Sequence, residues 1–451
     1  MVRVKWAVAV AAAAVLGGVV RRRTAPAVPG ICPHDLAACY FSPHFIGAKA
    51  MFQMHARALK YAAAARKADP ADNPACNVAV TVFDPGLDDP LAFTSDAVVV
   101  DACAGEANCR TLVHLSGVHG VEGYAGSAIQ TALLQTWTNG DSCPPNGTLV
   151  VLVHAVNAYG FYHGRRWNEN GVDLNRNALL RSEPFEGLAD RRRDVEDAYA
   201  EISSLLNPIS WSEVTFWWRA LSTVARKGFV ATKRVLVSGQ YSVPDGLWFG
   251  GTELQTCHEF VLELLAKVVG APKDNFWWMS GLETILDDVF PRPRASPSAP
   301  IFLIDVHTGL GPPGVDTLMA LGNKSSLDGV RNVFGESDGT FLYGDTASGA
   351  ASGYDATIGD VPSGYIDRLG WTNARGLIQE FGTIPGLLVA RALVRENAAW
   401  HHGDDAEKRD AARDVRDAFY VPTAAWQTSV VERGVRVAVQ ALEGLADGRL
   451  P

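Results

Sequence analysis

Two short strings constrain this chain more than anything else in it, because side chains far apart along the sequence must meet if both are to act. They are His119-Gly-Val-Glu122 and Asp305-Val-His307-Thr-Gly. Each closes a run that reads as a buried strand, Thr-Leu-Val-His-Leu-Ser-Gly over 111–117 and Ala-Pro-Ile-Phe-Leu-Ile-Asp-Val over 299–306. The candidate side chains therefore fall at strand ends beside loops, where open α/β sheets put their ligands. Two His and one Glu match the donor set of a catalytic zinc, which takes three nitrogen or carboxylate ligands and keeps a fourth position open. The spacing is not that of His-Glu-x-x-His, in which both His share one helix face. Gly117, Gly120 and Gly123 argue against a helix here, so His119 and Glu122 are expected to converge across a tight turn.

A His-x-x-Glu pair alone means little in a chain with 11 His and 49 acidic residues. Two further strings add specificity: Val-Asp-Leu-Asn-Arg-Asn (172–177) and Gln-Glu-Phe-Gly-Thr (379–383). The order His-x-x-Glu, Asp-x-Asn-Arg, His and a late Glu resembles that of the zinc carboxypeptidases of the carboxypeptidase A type and their succinylglutamate desuccinylase and aspartoacylase relatives. More closely, the chain is similar to the uncharacterised bacterial and eukaryotic family numbered 2817 among domains of unknown function. That likeness rests on Ser-Gly-Val-His-Gly-Val-Glu-Gly-Tyr-Ala-Gly-Ser-Ala-Ile-Gln (116–130), Asn-Ala-Tyr-Gly-Phe (157–161) and Arg-Arg-Trp-Asn-Glu-Asn-Gly-Val-Asp-Leu-Asn-Arg-Asn (165–177). It continues in Ser-Gly-Gln-Tyr (238–241), Gly-Leu-Trp-Phe-Gly-Gly (246–251) and Asp-Val-His-Thr-Gly-Leu-Gly-Pro (305–312), and spans residues 40–400.

The resemblance implies an α/β fold: one large carboxypeptidase-like domain with a mixed, mostly parallel central sheet flanked by helices on both faces. It implies one zinc per chain on His119, Glu122 and His307, with Glu380 as general base and acid beside a metal-activated water. Asn175 and Arg176 match the pair that grips a substrate carboxylate, for which the planar fork of arginine is suited. Arg166 or Arg165 would polarise the scissile carbonyl. The family's arginine there follows a Trp, whereas here Trp167 follows both arginines. Asp305 lies two positions before His307, on the same side of a strand, and is placed to orient its imidazole. A substrate-closing tyrosine has candidates in Tyr343, Tyr354 and Tyr365, none in a matching motif. His114 and His154, inside strand runs, read as core residues.

The expected activity is hydrolysis of an amide bond, in a peptide or an N-acyl amino acid, next to a free carboxylate. The competing reading is a non-catalytic carboxypeptidase-like binding protein, which would have no need of Glu380. A serine hydrolase is set aside because no Gly-x-Ser-x-Gly string follows a strand.

Composition fits a globular enzyme, with 47% hydrophobic and 20% charged residues, and a net charge of −9 gives no sign of a nucleic-acid surface. The first 34 residues contain no acidic side chain. An apolar run over 6–20 lies between Arg3, Lys5 and the triplet Arg21–Arg23. We read residues 1–30 as a targeting or anchoring segment, short for a spanning helix, directing the protein to the secretory pathway, the cell exterior or a membrane, or alternatively into an organelle such as the mitochondrion. Seven cysteines lean toward an oxidising compartment, with Cys103–Cys109 and Cys32–Cys39 as short loops that could close. Sequons stand at Asn146 and Asn323.

Periodicity predicts a helix over 43–67, strands over 77–83, 96–101, 110–116 and 148–155, and a helix over 124–137. Residues 184–296 form a helical, Trp-rich insertion expected to cover the site mouth, with Gln240, Tyr241 and the glycines of 246–251 as lining. The alternative is that its aromatics pack a core of their own. A strand is expected over 375–381, and 405–446 reads as a C-terminal helical extension outside the motif set.

Overall fold

The apolar, β-branched runs become strands of one sheet buried on both faces. The computed structural model describes residues 39–68, 76–83, 93–103, 108–139, 143–272, 293–321, 330–335, 340–343 and 357–450. Its strands are β1 (Asn77–Phe83), β2 (Ser95–Ala102), β3 (Arg110–Ser116), β4 (Thr148–His154), β5 (Ile301–Pro313), β6 (Asp316–Leu321), β7 (Thr340–Tyr343) and β8 (Ala374–Gly382). They lie side by side in the order β1-β2-β4-β3-β5-β8-β6-β7. The centre is parallel, β4 with β3, β3 with β5 and β5 with β8, while β1/β2, β2/β4 and β6/β8 are antiparallel.

Alternate residues of each central strand enter different cores, which is why the runs read as continuously apolar. Phe302, Ile304 and Val306 face one side with Leu112, Val150 and Leu152. Ile301 and Leu303 face the other with Val113, Leu115 and Val151. On the first side pack α1 (Phe45–Ala68), α2 (Gly123–Asn139) and a long C-terminal helix; on the second pack α8 (Thr256–Val268) and α9 (Val361–Arg368). A fully buried Phe or Leu in such a core contributes roughly 1.5–3 kcal/mol relative to exposure.

Between these lie α3 (Ala158–His163), α4 (Leu188–Arg191), α5 (Arg193–Leu206), α6 (Glu213–Lys227) and α7 (Phe229–Ser238); after β8 come α10 (Gly386–His402), α11 (Asp405–Phe419) and α12 (Ala424–Ala446). Three features depart from the sequence expectation. β6 and α9 lie in a Gly- and Pro-rich stretch read as loop, because their ordering comes from β8, against which both pack. The last helices are not an appendage. Val430, Val435, Val437, Ala441 and Leu445 of α12 enter the first core, and buried Arg433 donates to Asp316 at the start of β6. The insertion aromatics do form a separate core, in which Tyr199, Phe216 and Trp248 join Trp167 and Phe419.

Cys103 pairs with Cys109 as the spacing suggests, and a second disulfide joins Cys76 to Cys143 across 67 residues. The Cys32–Cys39 pairing, the segment 1–30, Tyr354 and Asn323 fall outside the described residues, as do the side chain of Tyr343 and parts of the insertion. Among the described residues no helix is long and apolar enough to cross a membrane.

Candidate metal centre

The sheet order creates the site. From β3 the chain moves to β4 on one side and later returns to β5 on the other, so the carboxyl ends of β3 and β5 diverge at a topological switch point, where such sheets bind ligands. β3 delivers His119 three residues beyond its end, β5 carries His307, and β8 places Glu380 directly opposite His307 in register.

The turn after β3 is tight for a steric reason. Gly117 has φ +67°, and Gly120 lies so close to Gly160 that a Cβ would come within 2.1 Å of its carbonyl carbon. His119 is extended and precedes a short 3-10 turn, Gly120–Glu122, that leads into α2 at Gly123. The glycines therefore keep His119 and Glu122 out of the helix and in a tight turn, as the sequence suggested. They let the helix start against Phe161, whose ring would meet a Cβ on Gly123.

Three buried side chains meet there. His119 Nδ1 lies 2.9 Å from Glu122 Oε1, His307 Nδ1 lies 3.0 Å from Glu122 Oε2, and the two Nδ1 atoms are 3.0 Å apart. The outer nitrogens are each tied to a carboxylate, His119 Nε2 to Asp173 Oδ1 at 3.0 Å and His307 Nε2 to Asp305 Oδ2 at 2.7 Å. With the Nε2 protons committed outward, both Nδ1 lone pairs point inward at each other and at a carboxylate. Such a convergence needs a positive charge between the groups, and two imidazole nitrogens plus one carboxylate are a zinc donor set. The donor chemistry fits zinc, and the three residues form a candidate metal site. The Asp101, Cys103 and Cys109 grouping does not compete, since its sulfurs are joined.

The surrounding charges fix this arrangement. Thr308 N–H donates to Glu122 Oε2, and Arg166 spans Glu122 Oε1 and Asp173 Oδ2 through Nη1 and Nε. Burial works against the charged carboxyls, yet the imidazoles hold Glu122 well below the usual carboxylate range, and Arg166 and His119 do the same for Asp173. Glu380 moves the other way. Burial first, and then the negative charge of Glu122, push it up to about 7, while Leu310 N–H donates to its Oε1.

The structure thus brings together His119, Glu122, His307, Asp305, Arg166 and Glu380. It draws Arg165, expected at the substrate, to a different place: the Arg165 guanidinium lies 3.8 Å from the Trp400 ring centre, and its Nε donates to buried Glu396 at 2.6 Å. The adjacent side chains of Arg165 and Arg166 leave the backbone toward opposite partners, so sequence neighbours serve different ends. Arg176 is buried with Nε donating to Val237 O and Nη1 to Asn175 O, while Asn175 Oδ1 accepts from Val361 N. Gln240 closes its own turn onto Val243 and Leu247, while Tyr241 donates to Arg176 O and so braces the Asn175–Arg176 segment. Tyr365 is fully buried and bonded to His258 Nδ1. His114 and His154 are core residues whose affinity for a proton burial lowers, to pKa values of about 4 and about 3.

Two participants escaped the sequence reading. Asp173 was visible in the Asp-x-Asn-Arg string, but its partners, His119 and Arg166, are set only by the turn at 165–173. Phe419 accepts from Thr308 Oγ1 and closes against Gly309 from the end of α11, a contact without any sequence signal.

The family model described as "Protein of unknown function (DUF2817)" matches residues 56–280 and 280–433. No curated protein matches the chain. Among solved structures, the succinylglutamate desuccinylase from Chromobacterium violaceum is similar at 12% identity with a TM-score of 0.31, covering 81% of this chain and 74% of that one. A likeness so slight carries no argument about chemistry.

Proposed function

Because the chain belongs to the DUF2817 family, whose description names no activity, we propose its function from its own site: zinc-dependent hydrolysis of an amide bond, in a peptide or an N-acyl amino acid, next to a free carboxylate. The observation that carries the reading is the pair of imidazoles facing Nδ1 to Nδ1 at 3.0 Å, each backed by a carboxylate, with Glu122 between them.

Zinc held by His119, Glu122 and His307 would supply Lewis acidity and make water acidic enough to attack near neutral pH. Glu380 stands opposite His307 with its proton affinity raised to near neutrality, suited to accept the proton of the attacking water and return it to the departing amine. Arg166, locked by Glu122 and Asp173, leaves Nη2 as the donor for an oxygen that gains negative charge. Asp305 and Asp173 hold the imidazole tautomers. Recognition of the substrate carboxylate by Asn175 and Arg176 is part of the proposal. It requires the Arg176 guanidinium to exchange a backbone carbonyl for the substrate.

The test is zinc content followed by hydrolysis of a panel of dipeptides and N-acyl amino acids, with and without chelator. About one zinc per chain and chelator-sensitive cleavage are expected. Turnover that persists in metal-free protein would refute the proposal. Zinc binding without turnover of any amide would favour the binding-protein reading. Secretion or membrane attachment through residues 6–20 is proposed alongside, and is checked by sequencing the N-terminus of the mature protein.

A further inference from the structure

Helix α6 is apolar on two opposite faces, and the described residues cover only one. Phe216, Ala220 and Thr223 are buried in the insertion core. On the other side Val214, Trp218, Leu221 and Ala225 form a single stripe at helical spacing, all in solvent, with Val214 81%, Trp218 73% and Leu221 62% exposed. The helix breaks at Gly228, and α7 opens with exposed Phe229 and Val230. Ile209, just before α6, is 79% exposed. Arg391 of α10 donates to both oxygens of Glu213, which sets the exposed Leu387 and Leu388, one turn earlier on α10, beside the start of α6. Large apolar side chains so concentrated on one side mark an interaction surface.

Charge selects the partner. Residues 207–238 contain Arg219, Arg226, Lys227, Lys233 and Arg234 against Glu213 alone, and although Lys227 pairs with Glu201 of α5, cations still outnumber anions here in a chain whose net charge is −9. Arg226 of α6 and Arg234 of α7 lie exposed. Trp, Phe and Leu on one side with Lys and Arg at the flanks is the composition of a helix that lies in the plane of a lipid interface. A second copy would set this basic surface against itself across a twofold axis, and the chain's own apolar run at 6–20 is flanked by Arg21–Arg23, again like against like. We infer that the α6–α7 segment is a peripheral membrane-binding surface that seats Val214, Trp218, Leu221 and Phe229 in the interface of an anionic lipid bilayer. This inference is independent of the hydrolytic reading.

The surface also adjoins the site rim. Leu387 and Leu388 follow directly on Gly386, where a Cβ would touch Leu310, the residue whose N–H holds Glu380. A bilayer seated here would lie near Leu310, whose N–H holds Glu380.

Flotation of the full chain with vesicles of phosphatidylcholine, with or without phosphatidylserine, tests the inference. Binding to the phosphatidylserine vesicles is expected, weaker at high salt and weaker on phosphatidylcholine alone. The triple variant Trp218→Ser/Leu221→Ser/Phe229→Ser and the charge variant Arg226→Glu/Arg234→Glu should each bind about tenfold more weakly or worse. All five positions are exposed, and unchanged thermal melting will confirm that the variants fold. No binding, or equal binding by both variants, overturns the inference, since lipid contact then lies elsewhere in the chain. A wild-type dimer that the triple variant converts to monomer also overturns it, because the stripe is then an interface between copies.

Discussion

Replacement of Asp173 by Asn isolates the part of the site that the proposed function most needs. Asp173 presents one oxygen to His119 Nε2 at 3.0 Å and the other to Arg166 Nε at 2.9 Å, and both partners are donors. An asparagine of the same shape has one oxygen and one NH2. If its oxygen faces His119, its NH2 meets the Arg166 N–H; if it is flipped, the imidazole must move its proton to Nδ1, the atom aimed at Glu122 and His307. Either orientation costs one inward lone pair or the lock on Arg166. Loss of a carboxylate behind a metal-binding histidine weakens metal affinity by about 10- to 100-fold, roughly 1.4 to 2.7 kcal/mol. The assay is competition for zinc against a fluorescent chelator at fixed pH, with Asp305→Asn as the parallel case for His307. Asp305→Asn should weaken zinc comparably, whereas Asp173→Asn should in addition depress turnover in zinc-saturated protein, because only Asp173 also holds Arg166. Zinc affinity within about threefold of wild type in both variants would refute the reasoning, since Nδ1 would then not be the coordinating nitrogen.

Four further outcomes are expected. Glu380→Gln should retain zinc while kcat falls by about 100- to 10,000-fold. The wild-type pH–rate profile should show an acid limb that rises with pH, because the base is the ionised form; burial and Glu122 raise that group to about 7, a bound cation lowers it, and the limb should vanish in the variant. Arg165→Ala should cost about 3–5 kcal/mol of stability in denaturant unfolding, because it strands buried Glu396, whereas Arg166→Ala should chiefly lower kcat/KM. Cys76→Ala/Cys143→Ala opens a loop of 67 residues, for which chain entropy gives a loss of about 4 kcal/mol, read from the denaturation midpoint under oxidising conditions.

The strands that build the site were legible because each carries an unbroken apolar run bounded by turn residues, and the two-faced burial of β3, β4 and β5 is what makes such runs. α1 and α2 were legible from their spacing. α6, α7 and α10 were not. α6 carries apolar residues on opposite faces, and its aromatics read equally well as site lining or as core. β6 takes its order from pairing with β8, a partner remote in sequence.

The sequence alone determined the candidate site residues and their order, since His119, Glu122, His307, Asn175, Arg176 and Glu380 carry their chemistry in their identity and their motif strings. It also carried the Asp305–His307 pairing, which follows from the two-residue period of a strand. Tertiary structure decided which of two adjacent arginines serves the site. It turned Arg165 into Glu396 and Trp400 and Arg166 into Glu122 and Asp173. It also set Asp173 behind His119 and brought the end of α11 onto Thr308. Those choices depend on the path of the turn at 165–173 and on how the last helices dock. Such contacts join segments with no shared period or pattern, and no local reading of the chain can hold them.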